Sequence, residues 1–443
     1  MHCGASTVIL KALQRMLLLV VLPSLLTSSL ARAAEYSLQK GINVFANHND
    51  NIRLTPTAPI SLSGQSLQST ALAKIADANW DISLDADLRF NSFNRSEFDS
   101  DDQTVALAGN RETERQTFSL EAEVVRDSTR TSELESTGSG LVSNLAERRV
   151  QYVVQPQWTY LVTARNFVAV SGSFSQANYA GLQFTDYTYD SLRIAWTRVI
   201  NENLRLTVAA NGALYSPDSR TTTVAGVPPF TAPSFNVSTE IESESAGLQV
   251  GGEYAITENW SVSGLAGSTY TNQDYELVDP GGACSNQFLA LFGRTPGACS
   301  LEDSDSNDLV ADVSMLWSGE RNEINLGYSI QNQPSNQGYE VEYERYSVSW
   351  NYRTTEKSRF RLSVEYGSNE AVDVSVSLID PSNSNRDFGN ATASYRWRVN
   401  ENWRFNARYR YAWQDREQAL GDAESNSIEI GVSYEPTKSI WSR

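Results

Sequence analysis

One stretch of alternating residues, Asn402 to Gln414 (NWRFNARYRYAWQ), constrains the fold of this chain more than any other. From Trp403 to Trp413 every second residue is apolar or aromatic, and the residues between them include three arginines. A period of two predicts a β-strand, here with one apolar and one cationic face. The two tryptophans lie ten residues apart, which corresponds to about 25 Å along a membrane normal at a tilt of roughly 40°. A soluble sandwich seldom places a tryptophan at each end of its apolar face, whereas a transmembrane β-barrel has an aromatic residue at each interface.

The same unit recurs along the chain: a strand, a tight polar turn, a second strand and a longer polar loop. Three of the tight turns share Glu-Asn followed by Leu or Trp, and such recurrence predicts hairpins built by one architecture. The predicted tight turns are Ala76 to Trp80, Arg111 to Gln116, Thr163 to Asn166, Ile200 to Leu204, Ile256 to Trp260, Gly319 to Asn322, Thr354 to Ser358 and Val399 to Trp403.

Counting the strands on both sides of each turn, with an opening strand near Tyr36 to Ala46 and a closing strand near Ser425 to Glu435, gives about eighteen, an even number as in bacterial barrels. Short turns on one rim and long loops on the other are expected to face the periplasm and the outside, respectively. The sequence therefore predicts an all-β fold, a transmembrane antiparallel β-barrel with short periplasmic turns and long extracellular loops. The long loops are predicted at Asn47 to Ser66, Ser128 to Ala146, Pro217 to Glu240 and Gln273 to Ser306.

The first 33 residues form a separate segment. Lys11 and Arg15 precede the apolar run Met16 to Leu22, and Ala31-Arg32-Ala33 is a small-x-small cleavage motif, so residues 1–33 are predicted to be a secretory signal peptide. No later stretch approaches 18 consecutive apolar residues, so a barrel is the expected way for the mature chain to cross a membrane. Residues 34–443 are accordingly predicted to form a single β-barrel domain in the bacterial outer membrane. No plug domain is expected before the strands, which argues against a gated nutrient receptor.

Two cysteines, Cys284 and Cys299, follow the signal peptide and flank a segment rich in Gly and Pro. The signal peptide would direct them to an oxidising compartment, so a disulfide between them is predicted, with two unpaired thiols as the alternative. Closing a loop of this length would stabilise the fold by about 3 kcal/mol in the chain-entropy model.

Arginines on the predicted lumen face are the main candidates for a binding site. Guanidinium groups stay charged and bind carboxylate or phosphate in a forked geometry, so they could guide an anionic polymer or solute. Alternatively, they could form cross-strand ladders with lumen carboxylates, namely Asp85, Asp87, Glu121, Glu123, Glu365 and Glu429. The candidate arginines are Arg193, Arg205, Arg353, Arg359, Arg361, Arg396, Arg398, Arg404, Arg408 and Arg410.

A metal site has little support in the sequence. The acidic run Glu302 to Asp308 offers Asp303, Asp305 and Asn307 at alternate positions, a spacing that hints at calcium. Asp308 occupies the position where a calcium loop needs glycine, and no glutamate closes the run. A solvated acidic loop is therefore favoured, with loose divalent bridging to lipopolysaccharide as a weaker alternative. No His and Cys cluster offers zinc ligands, so neither metal nor cofactor is expected.

Catalysis is not expected either. His48 is the single histidine outside the signal peptide, in a predicted loop that starts at Asn47 and contains Asp50. A serine–histidine site is possible in principle, but no serine motif or carboxylate cluster singles His48 out, and a turn-forming role is favoured. The 53 acidic residues against 35 basic ones argue against binding to nucleic acid.

Several segments resemble a known group of proteins. These are NHNDNIRLTP (Asn47 to Pro56), DDQTVAL (Asp101 to Leu107), and RDSTRTSELESTGSGL (Arg126 to Leu141) followed by ERRVQYVVQPQWTYLVTARN (Glu147 to Asn166). They resemble outer-membrane β-barrel proteins associated with bacterial exopolysaccharide and exosortase (PEP-CTERM) systems. The resemblance implies a barrel involved in production or export of surface polysaccharide, and it supplies no catalytic residue.

Together these observations predict a passive channel involved in exopolysaccharide export or surface polysaccharide production. Two alternatives remain open: a general diffusion porin for small solutes, and a plugged barrel that serves as an envelope scaffold and conducts nothing. The expected partners are outer-membrane lipids and lipopolysaccharide. Further candidate partners are an anionic polysaccharide and periplasmic export components.

Overall fold

The structure is a computed structural model that describes residues 34–132, 147–181, 184–218, 220–224, 235–278, 304–335, 340–371, 385–416 and 421–442. The predicted signal peptide, both cysteines of the predicted disulfide and Asp303 lie outside these residues.

Strands make up nearly all of the described chain. Two short helices, Ser96–Phe98 (3-10) and Thr129–Ser132 (α), lie in connections between strands. Within the described ranges, no helix is long and apolar enough to cross a bilayer. The strands are β1 (Glu35–Asn49), β2 (Leu62–Asp77), β3 (Trp80–Phe93), β4 (Ser100–Glu112), β5 (Gln116–Ser128), β6 (Arg148–Thr163), β7 (Asn166–Tyr179), β8 (Tyr187–Val199), β9 (Leu204–Pro217), β10 (Arg220–Val224), β11 (Phe235–Thr257), β12 (Trp260–Val278), β13 (Ser304–Ser318), β14 (Asn322–Pro334), β15 (Glu340–Thr355), β16 (Ser358–Ala371), β17 (Arg386–Arg398), β18 (Trp403–Arg416), β19 (Ala423–Tyr434) and β20 (Ser439–Ser442).

These strands form a closed antiparallel barrel. Each strand pairs with its neighbour in sequence, except that β9 pairs directly with β11, and β10 only extends the β11 hairpin. The first and last long strands pair along Ile42 to Asn49 and Ser427 to Tyr434, which closes the ring. Beyond the seam, β20 pairs with the start of β1, where the rings of Tyr36 and Trp441 stack 6.1 Å apart. Without β10 and β20 the ring has 18 strands, which confirms the predicted fold class.

In the three tight turns that contain Glu-Asn, the residue before this pair caps the chain. In the turn before Leu204, the side-chain oxygen of Asn201 accepts hydrogen bonds from the backbone N–H groups of Asn203 and Leu204 at 2.9 and 2.8 Å. Asn400 caps the turn before Trp403 in the same way, at 3.0 Å from both N–H groups. Short polar side chains favour such turns because they replace a backbone acceptor. The Glu-Asn motif in the sequence therefore marks hairpins, as predicted.

The two faces of the sheet differ sharply. Arg89 on β3 reaches Glu429 on β19 past two intervening strands, with 2.8 Å between nitrogen and oxygen. Only the concave face of a barrel brings side chains so far apart along the ring within contact, so this polar face lines the lumen. The opposite face is apolar and solvent-exposed, for example 53% for Val44 and 63% for Val250. A continuous exposed apolar surface of this kind is typical of a protein surrounded by lipid.

Aromatic side chains border the apolar outer face at both ends. Near the short turns, the rings of Trp260 and Trp317 are 6.0 Å apart, and those of Trp403 and Tyr434 are 4.9 Å apart. Near the long loops, a row of stacked and tilted rings crosses β14 to β18, with centroids 4.9 to 6.4 Å apart: Tyr328, Tyr346, Tyr366 and Trp413. Two such girdles mark the membrane interfaces of an outer-membrane barrel.

Some of the predicted long loops are shorter in the structure, but the loop predicted from Ser128 to Ala146 is not, because β5 ends at Ser128 and β6 begins at Arg148. The first was expected from Asn47 to Ser66, but β1 continues to Asn49 and β2 begins at Leu62. Likewise, β12 continues to Val278 and β13 begins at Ser304, inside the predicted loop from Gln273 to Ser306. Polar residues at these strand ends hide the alternation, because above the membrane both faces of a strand contact water.

Candidate functional site

All ten arginines that the sequence places on the lumen face lie on that face. Their strands pair so that Arg408 is opposite Glu429, and this glutamate contacts Arg89 across the concave side. Since side chains alternate along a strand, the register of β15 to β18 puts the remaining arginines of these strands on the same side. The register of β8, β9 and β11 does the same for Arg193 and Arg205.

Part of the lumen is lined by the predicted polar ladder. Glu429, whose side chain is 16% exposed, forms salt bridges with Arg89 and Arg408, with nitrogen–oxygen distances of 2.8 and 3.6 Å. Directly opposite Glu429, on β1, Asn47 donates to the hydroxyl of Ser66 at 2.8 Å. This ladder crosses the strands that close the barrel, so it stabilises the seam between β19 and β1 from the inside.

Replacing Glu429 with alanine should lower the free energy of unfolding by about 1–2 kcal/mol, because Arg89 and Arg408 lose a charged acceptor in a half-buried place. Unfolding in urea in lipid vesicles measures the change. The matched control is Glu253→Ala, because Glu253 and Arg205 are 3.3 Å apart but about half exposed, and this exposed pair should contribute less than about 0.5 kcal/mol. Equal losses in the two variants would contradict the seam role of Glu429.

Four arginines near the short turns lie outside this ladder. Arg353, Arg359, Arg396 and Arg398, named here the arginine cluster, are exposed on β15, β16 and β17. Arg353 is directly opposite Arg359, and Arg359 is directly opposite Arg396, so three cations form one row across three strands. Arg398 is opposite Arg404 in the next row. None of the four has a salt bridge or side-chain hydrogen bond to any residue that the structure describes.

This arrangement opposes the stability of the fold. Like charges directly opposite each other in an antiparallel pair are destabilising, and two unit charges about 5 Å apart in water repel by about 1 kcal/mol before screening. A structural ladder would interleave carboxylates, as the Glu429 ladder does. The arginine cluster therefore differs from the Glu429 ladder, because its guanidinium groups have no carboxylate partner among the described residues.

The other predicted arginines each have a different environment. Arg404 forms a salt bridge with Glu435, and Arg205 forms one with Glu253 at 3.3 Å. Arg410 donates to the side-chain oxygen of Asn390 from two nitrogens, at 2.9 and 3.3 Å.

Arg361 and Arg193 complete the set. Arg361 donates to Asn351, which in turn donates to Glu323 at 3.0 Å. Arg193 is half-buried on β8, without a salt bridge among the described residues.

The predicted lumen carboxylates also fall into two groups. Glu365 pairs with Arg345 at 3.1 Å, and Asp87 accepts a hydrogen bond from Gln68. Asp85, Glu121 and Glu123 on β3 and β5 form no ion pair within the described ranges, and all three are exposed. Unpaired carboxylates and unpaired arginines thus lie on separate parts of the lumen wall.

The loop between β1 and β2 folds over the opposite end of the lumen. Gln414, 3% exposed on the lumen face of β18, donates to the carbonyl of Leu54 at 2.8 Å. Asn51 donates to the carbonyls of Thr55 and Glu424, both at 2.9 Å. These contacts hold the loop inward, so it narrows the extracellular mouth.

Arg130 fixes the neighbouring connections. Its guanidinium donates to the carbonyls of Phe98 at 2.8 Å and Glu97 at 2.9 Å, and it lies 5.1 Å from the centre of the Phe98 ring. Arg53 lies 5.5 Å from the same ring centre, so the buried ring packs between two cations. Burial lowers the pKa of Arg130, but an arginine stays charged at neutral pH. Burial also disfavours the charged form of Glu147 in this region, so the pKa of its carboxyl is raised.

Two predictions about other sites were wrong in their location. Asp305 and Asn307 lie on the outer face of β13, not in a loop, so they cannot wrap around a calcium ion together. His48 lies on the outer face of β1, not in a turn, and its Nδ1 is 2.8 Å from the hydroxyl of Ser63. Among the described residues, no group of three or more His, Cys, Asp or Glu side chains could hold a metal ion.

Further arginines lie on the lumen face outside the predicted set, among them Arg89 and Arg345. Arg89 bonds to Glu429, and Arg345 bonds to Glu365. Apolar and polar residues alternate from Trp80 to Phe90, and this pattern predicts that Arg89 lies on the polar face of β3. Arg345 shares a face of β15 with Tyr343 and Ser347. The glutamates around it obscure the alternation of polar and apolar residues from which this face could be predicted.

No protein-family model matches the chain, and no curated protein matches its sequence. Solved outer-membrane barrels have a similar fold. The ferric-catecholate import receptor Fiu from E. coli K12 is 8% identical with a TM-score of 0.44, covering 89% of this chain and 81% of Fiu. OccAB3 from Acinetobacter baumannii is 8% identical with a TM-score of 0.40, covering 91% and 99%. Pseudomonas aeruginosa OccK2, solved in complex with glucuronate, is 10% identical with a TM-score of 0.43, covering 90% and 97%.

The chain's own geometry indicates its class of fold and its location. A closed ring of 18 strands, an exposed apolar outer face and aromatic girdles at both ends are the features of a porin-like barrel. The protein is located in the bacterial outer membrane.

Proposed function

We propose that this barrel is a passive conduit for an anionic exopolysaccharide, acting in its export or in surface polysaccharide production. The observation that carries the proposal is the arginine cluster, in which Arg353, Arg359 and Arg396 lie side by side, exposed and without carboxylate partners among the described residues. The sequence resemblance to barrels of exopolysaccharide systems supports the same substrate class.

The proposal includes no catalytic step. His48 and Ser63 are the closest approach to a nucleophile and base, and they lie on the lipid-facing side, away from the lumen. A hydrolytic site also needs a group that orients the histidine. In the structure as described, the sole polar side-chain contact of His48 is with Ser63.

A plugged scaffold is the second candidate, and specific contacts favour it. Besides the loop held by Gln414, the hydroxyl of Tyr215 on β9 donates to the carbonyl of Ser335 at 2.6 Å. Ser335 follows β14, which is several strands away around the ring, so this contact crosses the extracellular mouth. Both contacts narrow the lumen at the end opposite the arginine cluster.

Single-channel conductance of the refolded chain in a planar bilayer tests the proposal. We expect a steady conductance that polygalacturonate, a polymer of carboxylated sugars, blocks at concentrations where neutral dextran of similar length does not. Conductance indifferent to polygalacturonate would favour a general diffusion porin. A protein shown to be folded by its heat-modifiable migration, but without conductance, would favour the plugged scaffold.

A further inference from the structure

The arginine cluster lies at one end of the lumen, beside the short periplasmic turns. Arg353 and Arg359 flank the turn between β15 and β16, and Arg396 and Arg398 precede the turn between β17 and β18. We propose that this cluster is a capture site for a polyanion and that it works from the periplasmic side, so that the barrel takes in its polymer in the outward direction. The inference rests on the proposed function and adds the location of the site and the direction of passage.

The spacing of the cluster suits an anion with repeated charges. Neighbouring strands lie about 4.8 Å apart, so the row Arg353, Arg359, Arg396 presents three cations over about 10 Å. Arg398 extends the cluster into the next row, where its cross-strand neighbour Arg404 is paired with Glu435. Each guanidinium can hold one carboxylate or phosphate in a forked geometry. A small monovalent anion engages one such group, whereas an extended polymer engages several, and linked contacts multiply affinity.

The rest of the lumen shows why the site belongs at this end. Arg408 and Arg404, further along β18, are already paired with Glu429 and Glu435. At the extracellular end, Arg386 is opposite Arg416, but Arg386 is 4% exposed and packs 4.7 Å from the centre of the Phe388 ring. The Arg386–Arg416 pair at the extracellular mouth is therefore not an exposed row of cations like the arginine cluster.

Among the described residues, the extracellular rim formed by β11 to β19 has the opposite charge. The outer face of β11 to β19 ends in exposed carboxylates, and two pairs of them are directly opposite each other, Glu242 with Asp274 and Asp387 with Asp415. Charge of one sign raises the local concentration of ligands of the other sign and repels those of the same sign. A polyanion is therefore attracted to the periplasmic mouth and repelled from the extracellular rim.

Sided block of oriented barrels tests the inference. The probe is polygalacturonate, added to one side of a planar bilayer at about 0.1 M salt, where exposed charges about 10 Å apart still interact. Orientation is fixed by a biotin peptide inserted between Glu258 and Asn259, in a short turn away from the cluster, and by streptavidin added to a known side. We expect polygalacturonate to halve the conductance at a concentration at least about tenfold lower when it is added to the periplasmic side than when it is added to the extracellular side. The reason is that linked contacts with several arginines raise the affinity for a polymer.

The variant R353Q/R359Q/R396Q/R398Q should remove this difference between the two sides. The matched control is Arg205→Gln, which removes a lumen arginine near the same end that is paired with Glu253, and it should keep the difference. Equal block from the two sides, stronger block from the extracellular side, or an unchanged difference in the fourfold variant would overturn the inference. Block from neither side, with conductance intact, would instead overturn the proposed function on which it rests.

Discussion

Replacing Leu107 with arginine should destabilise the barrel by about 2–4 kcal/mol, the cost of an arginine on the lipid-facing side near the bilayer midplane. Leu107 is 39% exposed on the outer face of β4, between Leu84 on β3 and Ala122 on β5. Such a loss changes the folding equilibrium constant about 30- to 1,000-fold. Urea titration of folding into lipid vesicles, followed by tryptophan fluorescence, measures it.

The adjacent residue supplies the control. Ala106 points into the lumen, where Asp85 on β3 and Glu123 on β5 are its direct cross-strand neighbours. An arginine at this position gains two opposite charges, so Ala106→Arg should leave stability unchanged or raise it by up to about 1 kcal/mol. Similar losses for both variants would show that the two faces of β4 are assigned incorrectly.

The fold could be predicted because its rules are local. Period-two alternation assigns each strand, and a capping residue such as Asn201 or Asn400 fixes each tight turn. Once a hairpin turn is fixed, the register of the two strands follows from it. The strand number and the closed ring then follow from counting turns. The ends of the strands could not be predicted, because above the membrane the alternation fades where both faces of the strand contact water.

The lumen is predictable only in part, because its chemistry depends on which side chains share a row. The sequence assigns Arg353, Arg359 and Arg396 to the polar face, but their alignment depends on the combined register of two hairpins. The pairing of Arg89 with Glu429 depends on ring closure, which joins residues 340 positions apart. The inward loop likewise depends on a contact between Gln414 and Leu54. None of these follows from a local pattern.

The lumen arginines have two kinds of environment, and each matches the arrangement assumed in one of the two sequence-based hypotheses. At the seam, arginines alternate with carboxylates and stabilise closure, whereas on β15 to β17 they lie beside one another. The chain as a whole is acidic, with 53 acidic and 35 basic residues, so a concentration of cations at one mouth is not a consequence of composition. The arginine cluster should therefore control which ions enter.

Neutralising the arginine cluster in R353Q/R359Q/R396Q/R398Q should lower the permeability ratio of chloride to potassium about tenfold at 0.1 M salt. A unit charge about 7 Å from a passing ion contributes about 0.6 kcal/mol in water, so four such charges contribute about 2 kcal/mol before screening. At 1 M salt the Debye length falls to about 3 Å, and the change should shrink to about twofold. Reversal potentials across a salt gradient measure the ratio.

The conservative variant R353K/R359K/R396K/R398K separates charge from geometry. Lysine keeps the cation but loses the forked pair of donors, so it should keep the ion selectivity and weaken block by polygalacturonate. The variant R205Q/E253Q removes a lumen cation together with the carboxylate that pairs with it, so the local net charge is unchanged and the permeability ratio should shift less than on removal of any one cluster arginine. An unchanged ratio in the glutamine variant, at a conductance like that of the parent chain, would show that permeating ions do not pass the arginine cluster.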